Sequence, residues 1–292
     1  MQRRTVWIVV VIVFLMLCCC AVTVIGAGVG IGLLPWSWQS SWDFDFDDLN
    51  IPGVQATATM QESFVVDGTP LLDIECPVCD VKVVGDEGTT VEIEATKHAW
   101  SNTRSAAERQ LDRIRIRFVQ EDERVLVKVD MPQLREPGFG KRASVDLRIT
   151  VPWRTDLNVD LDIGDVEIGW IESELDLRVD VGQVDLKDVV AQDGLRVRTD
   201  VARIRFEGPL SEGVRYDMRS AVGDIALTLP AGSSFEVDAE SNVGAVACDF
   251  PVRGTQSRKD FVGGRVEGTV GDSPTAELVL RSDVGSIRIS ED

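Results

Sequence analysis

The stretch Leu175-Asp-Leu-Arg-Val-Asp-Val-Gly-Gln-Val-Asp-Leu186 decides how the chain folds. Leu175, Leu177, Val179 and Val181 recur at every second position, the spacing that puts side chains on one face of a strand. Val184 and Leu186 resume the alternation after a step of three. One extra residue would turn the second run to the opposite face unless the backbone bends between the two. Gly182 stands at that point, and glycine takes left-handed or bulged conformations without steric cost. The segment therefore reads as strand, corner, strand.

The same phrase returns along the chain. It begins at Asp162, Asp180, Asp200, Ala221, Asn242 and Asp283, with separations of 18, 20, 21, 21 and 41 residues. The long last gap corresponds to an irregular turn or an inserted loop between Pro251 and Pro274. A unit of about 20 residues cannot bury an apolar face alone, and stacking identical units does so. The pattern predicts an all-β, β-solenoid-like stack with structural corners at Gly164, Gly182, Gly223, Gly244 and Gly285. Ala202 takes the corner position in one copy.

Two columns of this stack are expected to point inward: Ile163, Val181, Val201, Val222, Val243 and Val284, and Ile168, Leu186, Phe206, Leu227, Cys248 and Ile289. A third, Leu161, Val179, Thr199, Ser220, Ser241 and Ser282, turns to hydroxyls, which suit a narrowing corner where backbone groups need partners. Outward, Arg178, Arg198, Arg219 and Arg281 run beside Asp176, Asp217 and Asp238 and predict ion-pair ladders. An early copy fits the frame, with Leu72, Ile74, Cys76 and Val78 before the corner, Cys79 in the glycine place, and Val81 and Val83 after it. Thr103 to Leu111 reads as a short helix from its helix-favouring composition. Further strands follow around Ile114 to Phe118, Val125 to Val129 and Val145 to Val151.

The chain has 292 residues, 44% hydrophobic and 27% charged, with a formal net charge of −19. Arg3 and Arg4 are the only charges before Asp43, which leaves 28 basic against 49 acidic side chains beyond. That field repels nucleic acid and anionic headgroups and favours cations or basic partners. Val6 to Leu34 is almost continuously apolar, longer than the 20 or so residues a bilayer core requires and longer than a signal-peptide core. Residues 1–34 accordingly read as a cytoplasmic stub and transmembrane anchor, with the positive residues inside and the large domain outside the membrane. Residues 35–60, with Trp36, Trp38 and Trp42, read as an acidic juxtamembrane tether. Residues 61–292 read as the β domain, irregular over 61–152 and regular over 153–292.

Cys18, Cys19 and Cys20 lie in the apolar span, where a small polarizable residue needs no further reason. Cys76 and Cys79 form Cys-Pro-Val-Cys, either a local disulfide or a pair of packed thiols. No second such pair or histidine pair completes a zinc site around them. His98, the only histidine, sits in a polar stretch and reads as a solvated surface residue. No nucleophile set, phosphate-binding loop or marked carboxylate pair is present in the sequence, so the reading is non-enzymatic.

The repeated Val-Gly-x-Ile/Val step, preceded by Leu147 to Pro152 and closed by Asp283 to Ile289, resembles the DUF4097 family of candidate adhesins over about Leu71 to Ser290. The resemblance implies a β-solenoid-like domain beside a membrane anchor in a bacterial envelope protein, and no catalytic residues. Cys79 and Ala202 depart from its corner glycine.

The column before the corner, Asp162, Asp180, Asp200, Ala221, Asn242 and Asp283, has two readings. Its four aspartates, in a column that Ala221 interrupts, can form a row of Ca²⁺ sites. Alternatively each accepts hydrogen bonds from the amides of its own corner. Two functions fit the whole: a cell-surface binding module taking a protein or glycan, or an envelope sensor acting through a second membrane protein, since four cytoplasmic residues form no effector.

Overall fold

The computed structural model describes residues 54–131, 143–254 and 263–292. The anchor and residues 35–53 of the tether expected from sequence lie outside these. Among the described residues no helix is long and apolar enough to cross a membrane.

Alternating β-branched and polar residues become strands throughout. In chain order they are β1 (Val54–Val65), β2 (Leu71–Asp86) and β3 (Thr90–Ser101), then helix α1 (Arg104–Leu111), then β4 (Arg115–Glu121), β5 (Arg124–Asp130) and β6 (Ala143–Pro152). The repeats supply β7 (Asp156–Ile163), β8 (Val166–Gly169), β9 (Glu172–Lys187), β10 (Val190–Glu207), β11 (Arg215–Val222) and β12 (Ile225–Leu229). The chain ends with β13 (Phe235–Val243), β14 (Val246–Cys248), β15 (Gly264–Val270), β16 (Ala276–Val284) and β17 (Ile287–Glu291). β1 begins seven residues inside the stretch read as tether, where it pairs with β3 along its whole length. The short helix starts where its composition places it, with the Thr103 hydroxyl accepting the amide of Ala106 and with Ala107 and Leu111 buried.

The repeats pair parallel and in register. Before the corner, Leu72, Leu157, Leu175, Leu195, Tyr216, Leu278 and Val237 are successive neighbours. After it, Val83, Ile168, Leu186, Phe206, Leu227, Ile289 and Cys248 form a second column. All but Cys248 in these two columns are buried, and Phe206 meets Tyr216 edge to face at 5.6 Å. These columns are the interior.

The order of layers departs from the order of the chain at both ends. β16 and β17 sit between the copies that begin at Ala221 and Asn242, because β16 pairs with both β11 and β13 and β17 with both β12 and β14. The 41-residue gap supplies the reason. β15 folds back antiparallel on the far side of β13, leaving the last copy to enter between two earlier ones. At the other end β2 lies between the layer of β5 and β6 and the layer of β7 and β8. Antiparallel strands cover one end in both rows, β4 on β5 and β3 on β6 with β1 beyond it, and the other end in one row, β15 on β13, while the three-residue β14 pairs with β17 alone among the described residues.

One predicted column faces the other way. Val181, Val201, Val222, Val284 and Val243 stack in register but are 36–47% exposed, and Ile163 is only half-buried. The last inward position is the hydroxyl column one pleat earlier. The Ser220, Ser241 and Ser282 hydroxyls donate to the carbonyls of Ala202, Gly285 and Gly223, all corner residues of the neighbouring layer. The backbone has already begun to turn there, so the next apolar residue is carried onto the outside of the bend.

The five corner glycines all adopt positive φ, from 141° to 156°. At Gly182 a side chain is barred twice: φ is 156°, and an added Cβ would lie 1.9 Å from the carbonyl oxygen of Gly164 in the layer beside it. The corners are thus packed carbonyl against Cα, layer on layer. Cys79 and Ala202 occupy the same register position without positive φ. Cys79 is disulfide-bonded to Cys76 with their Cα atoms 6.0 Å apart, and both are buried in this corner.

Candidate binding groove

Alternate residues of the strands before the corner point outward and form columns one strand spacing apart, about 4.8 Å. In one of them Arg178, Arg198, Arg219 and Arg281 are consecutive neighbours, with Asp160 beyond Arg178 and Glu240 beyond Arg281. Four guanidinium groups at that spacing repel, by about 1 kcal/mol per adjacent pair even at the dielectric of water. Carboxylates in the flanking columns answer most of this.

Arg178 lies 3.4 Å from Asp180 and 4.0 Å from Asp160. Arg219 forms a two-pronged pair with Asp217 at 2.7 and 3.0 Å, which raises the pKa of its guanidinium. Arg281 pairs with Asp238 and also donates to its carbonyl at 2.7 Å. Burial pushes the Asp238 carboxyl upward, but Arg281 and then Arg265 outweigh it and hold the group below its ordinary value. Arg198 has no carboxylate within pairing distance and donates no hydrogen bond among the described residues.

Arg178, Arg198, Arg219 and Arg281, with Asp180 and Asp238, line an open groove of about 660 Å³ that also takes in Arg215, Glu277, Asp200 and Asp283. It combines donors and acceptors, and among the described residues its apolar walls are Val279 and Ala221, with no aromatic ring. The expected ion-pair ladder is therefore present in part: Arg219 and Arg281 take Asp217 and Asp238, whereas Asp176 pairs with Arg196 at 3.0 Å, Arg178 turns to Asp180 and Asp160, and Arg198 leaves a gap. The gap was not readable from the sequence, because Arg198-Thr-Asp200 repeats the spacing of the paired Arg178-Val-Asp180.

The four aspartates proposed for Ca²⁺ are spread one to a layer. Asp180 pairs with Arg178, Asp283 accepts the side-chain amide of Asn242 at 2.9 Å, and Asp200 has no partner among the described residues. Burial, then the charges of Asp180 and Asp160, raise the pKa of Asp162. Among the described residues no three His, Cys, Asp or Glu side chains are gathered closely enough to hold a metal ion.

The carboxylates that do receive corner amides stand on the far side of the glycine. Asp80 accepts from the backbone of Asp165 at 3.0 Å, Asp165 from Gln183 at 2.8 Å and Asp224 from Ser286 at 2.7 Å, each reaching into the next layer. Burial and then repulsion from Asp80 raise the pKa of Asp165, against the opposing bond from Gln183. A carboxyl whose folded pKa exceeds its unfolded value holds its proton more tightly in the native state. The native state is then favoured at low pH and loses that advantage as pH rises through the raised value. Asp165→Asn keeps the accepting oxygen and removes the charge. It is expected to raise Tm at pH 7.5 by the equivalent of about 0–1 kcal/mol and to leave it unchanged below about pH 4, as followed by calorimetry.

His98 is not solvated as its neighbours suggest. Its ring stacks on Trp100 at 5.8 Å, with Nε2 3.0 Å from Asp146 and Nδ1 3.1 Å from Gln55, so it ties β1, β3 and β6 together.

No family model matches the chain, and no curated protein matches it. Among solved structures it is similar to a candidate cell adhesion protein from Clostridium sporogenes ATCC 15579, at 14% identity and a TM-score of 0.49, covering 80% of this chain and 100% of that one. A candidate adhesin from Bacteroides fragilis NCTC 9343 matches at 16% identity and a TM-score of 0.38, covering 80% and 97%. Another from Parabacteroides merdae ATCC 43184 matches at 12% and 0.25, covering 80% and 96%. The functional reading accordingly rests on the chain's own residues.

Proposed function

We propose that the chain is a β-solenoid of the DUF4097 kind, held by residues 1–34 in the cell membrane with its acidic β domain outside, and that it acts as a non-catalytic surface-binding module. The observation that carries this reading is the groove: ordered rows of arginine and carboxylate, spaced by the strands themselves, on a face whose backbone is fixed by buried columns beneath. Pre-positioned polar groups of this kind bind without paying to be ordered.

The test uses the full chain purified in detergent. It is expected to be retained on a glycan array or on intact cells, and to lose retention when groove residues are changed. Recovery instead of a stoichiometric membrane protein, with no retention on glycans or cells, would replace this reading with that of an accessory regulator.

A further inference from the structure

We infer that the groove takes the carboxylate of an acidic glycan, with Arg198 gripping the carboxylate and Asp200 accepting sugar hydroxyls; this rests on the surface-binding reading and names its ligand class. Of the five arginines lining the groove, four are engaged: Arg178 by Asp180, Arg215 by Glu277, Arg219 by Asp217 and Arg281 by Asp238. Arg198 is the fifth. It stands between Arg178 and Arg219, one layer from each, so an anion placed there relieves a repulsion that the protein leaves standing. A guanidinium fork meets a carboxylate with two parallel bonds, which makes this the strongest contact the groove can offer.

Asp200 is the second free valence. It lines the same groove two residues along, and Arg198 and Asp200 do not pair with each other although Arg178 and Asp180, in the same relation, do. An unengaged donor fork beside an unengaged acceptor calls for a ligand with one negative group and neighbouring hydroxyls, which is the chemistry of an acidic sugar. A protein partner would look for aromatic or aliphatic anchors, and the groove supplies no ring and little aliphatic wall. The net charge of −19 turns away dense polyanions such as nucleic acid or a heavily sulfated chain. What can approach is an isolated carboxylate on an otherwise neutral saccharide. The volume, about 660 Å³, falls in the range of small-ligand sites.

The experiment compares binding of the full chain in detergent to immobilised sialyllactose, which carries a single carboxylate on an otherwise neutral saccharide, to its carboxyl-reduced counterpart and to neutral oligosaccharides. Wild type is expected to prefer the acid form. Arg198→Ala should weaken that binding about ten- to hundredfold, the loss expected for one charge-assisted contact, with Arg198→Lys intermediate and Asp200→Ala weaker than wild type. Arg288→Ala, which removes an exposed arginine of β17 outside the groove, should match wild type. Thermal melts of each variant exclude loss of fold. Equal binding by Arg198→Ala, or equal binding of the carboxyl-reduced sugar, overturns the inference and leaves the surface-binding reading standing. A wild type that binds neither glycans nor cells overturns both.

Discussion

Gly182→Ala is expected to destabilise the β domain by about 3 kcal/mol or more, since backbone strain and a forced steric contact each cost about 1–3 kcal/mol. The methyl group would meet the Gly164 carbonyl at 1.9 Å, and φ of 156° suits no residue with a side chain. The obstruction is backbone and the layers are hydrogen-bonded through it, with the Gly164 amide donating to the Val181 carbonyl at 3.0 Å, so an alanine here must abandon both the φ and the packing of this corner. Gly194→Ala is the control. Its site has ordinary φ and nothing within 4 Å of the added methyl, so it should be neutral or stabilise by up to about 1 kcal/mol. Urea unfolding of the two variants beside wild type decides the matter. Equal midpoints would mean that the corners are not packed layer on layer.

Truncation after Ser286 is expected to abolish folding of the C-terminal layers, although only six residues are removed. Chain ends usually tolerate trimming, and the useful question is what burial and bonding the removed backbone carries. Here β17 lies between β12 and β14, and Ile287 and Ile289 are fully buried. Removing two such side chains costs about 4–10 kcal/mol, of the order of the whole stability of a domain. Loss of the two hydrogen-bonded ladders is added to that. Limited proteolysis should find residues 210–286 degraded in the truncated chain and protected in the full one. Protection in both would show that the last strand is dispensable.

Much of this architecture was legible because the repeat is written in backbone-determining residues. Gly164, Gly182, Gly223, Gly244 and Gly285 announce corners, and the hydroxyl column announces where backbone groups need partners. What misled was hydrophobicity at the bend. Val181 and Val179 look alike in an alternating pattern, but the chain turns between them, and only the softening of the earlier column to Thr199 and Ser220 marks that as the innermost point. The insertion of β16 and β17 out of chain order had no local signal, since strand pairing over 41 residues depends on which edge remains open. The candidate groove was half legible. Its arginine and aspartate rows follow from the repeat, whereas the unengaged state of Arg198 depends on side-chain directions that identical spacing does not encode.

The antiparallel strands at the two ends have a consequence for solubility. A run of in-register parallel layers has the same hydrogen-bonding geometry as a cross-β fibril, and an open terminal layer would recruit a further copy edge to edge. β15 at one end carries Arg265 and Glu267 and holds Gly268 at a positive φ, while β1 at the other is mostly polar and exposed. A molecule built like the core of an aggregate is thereby given a fixed length.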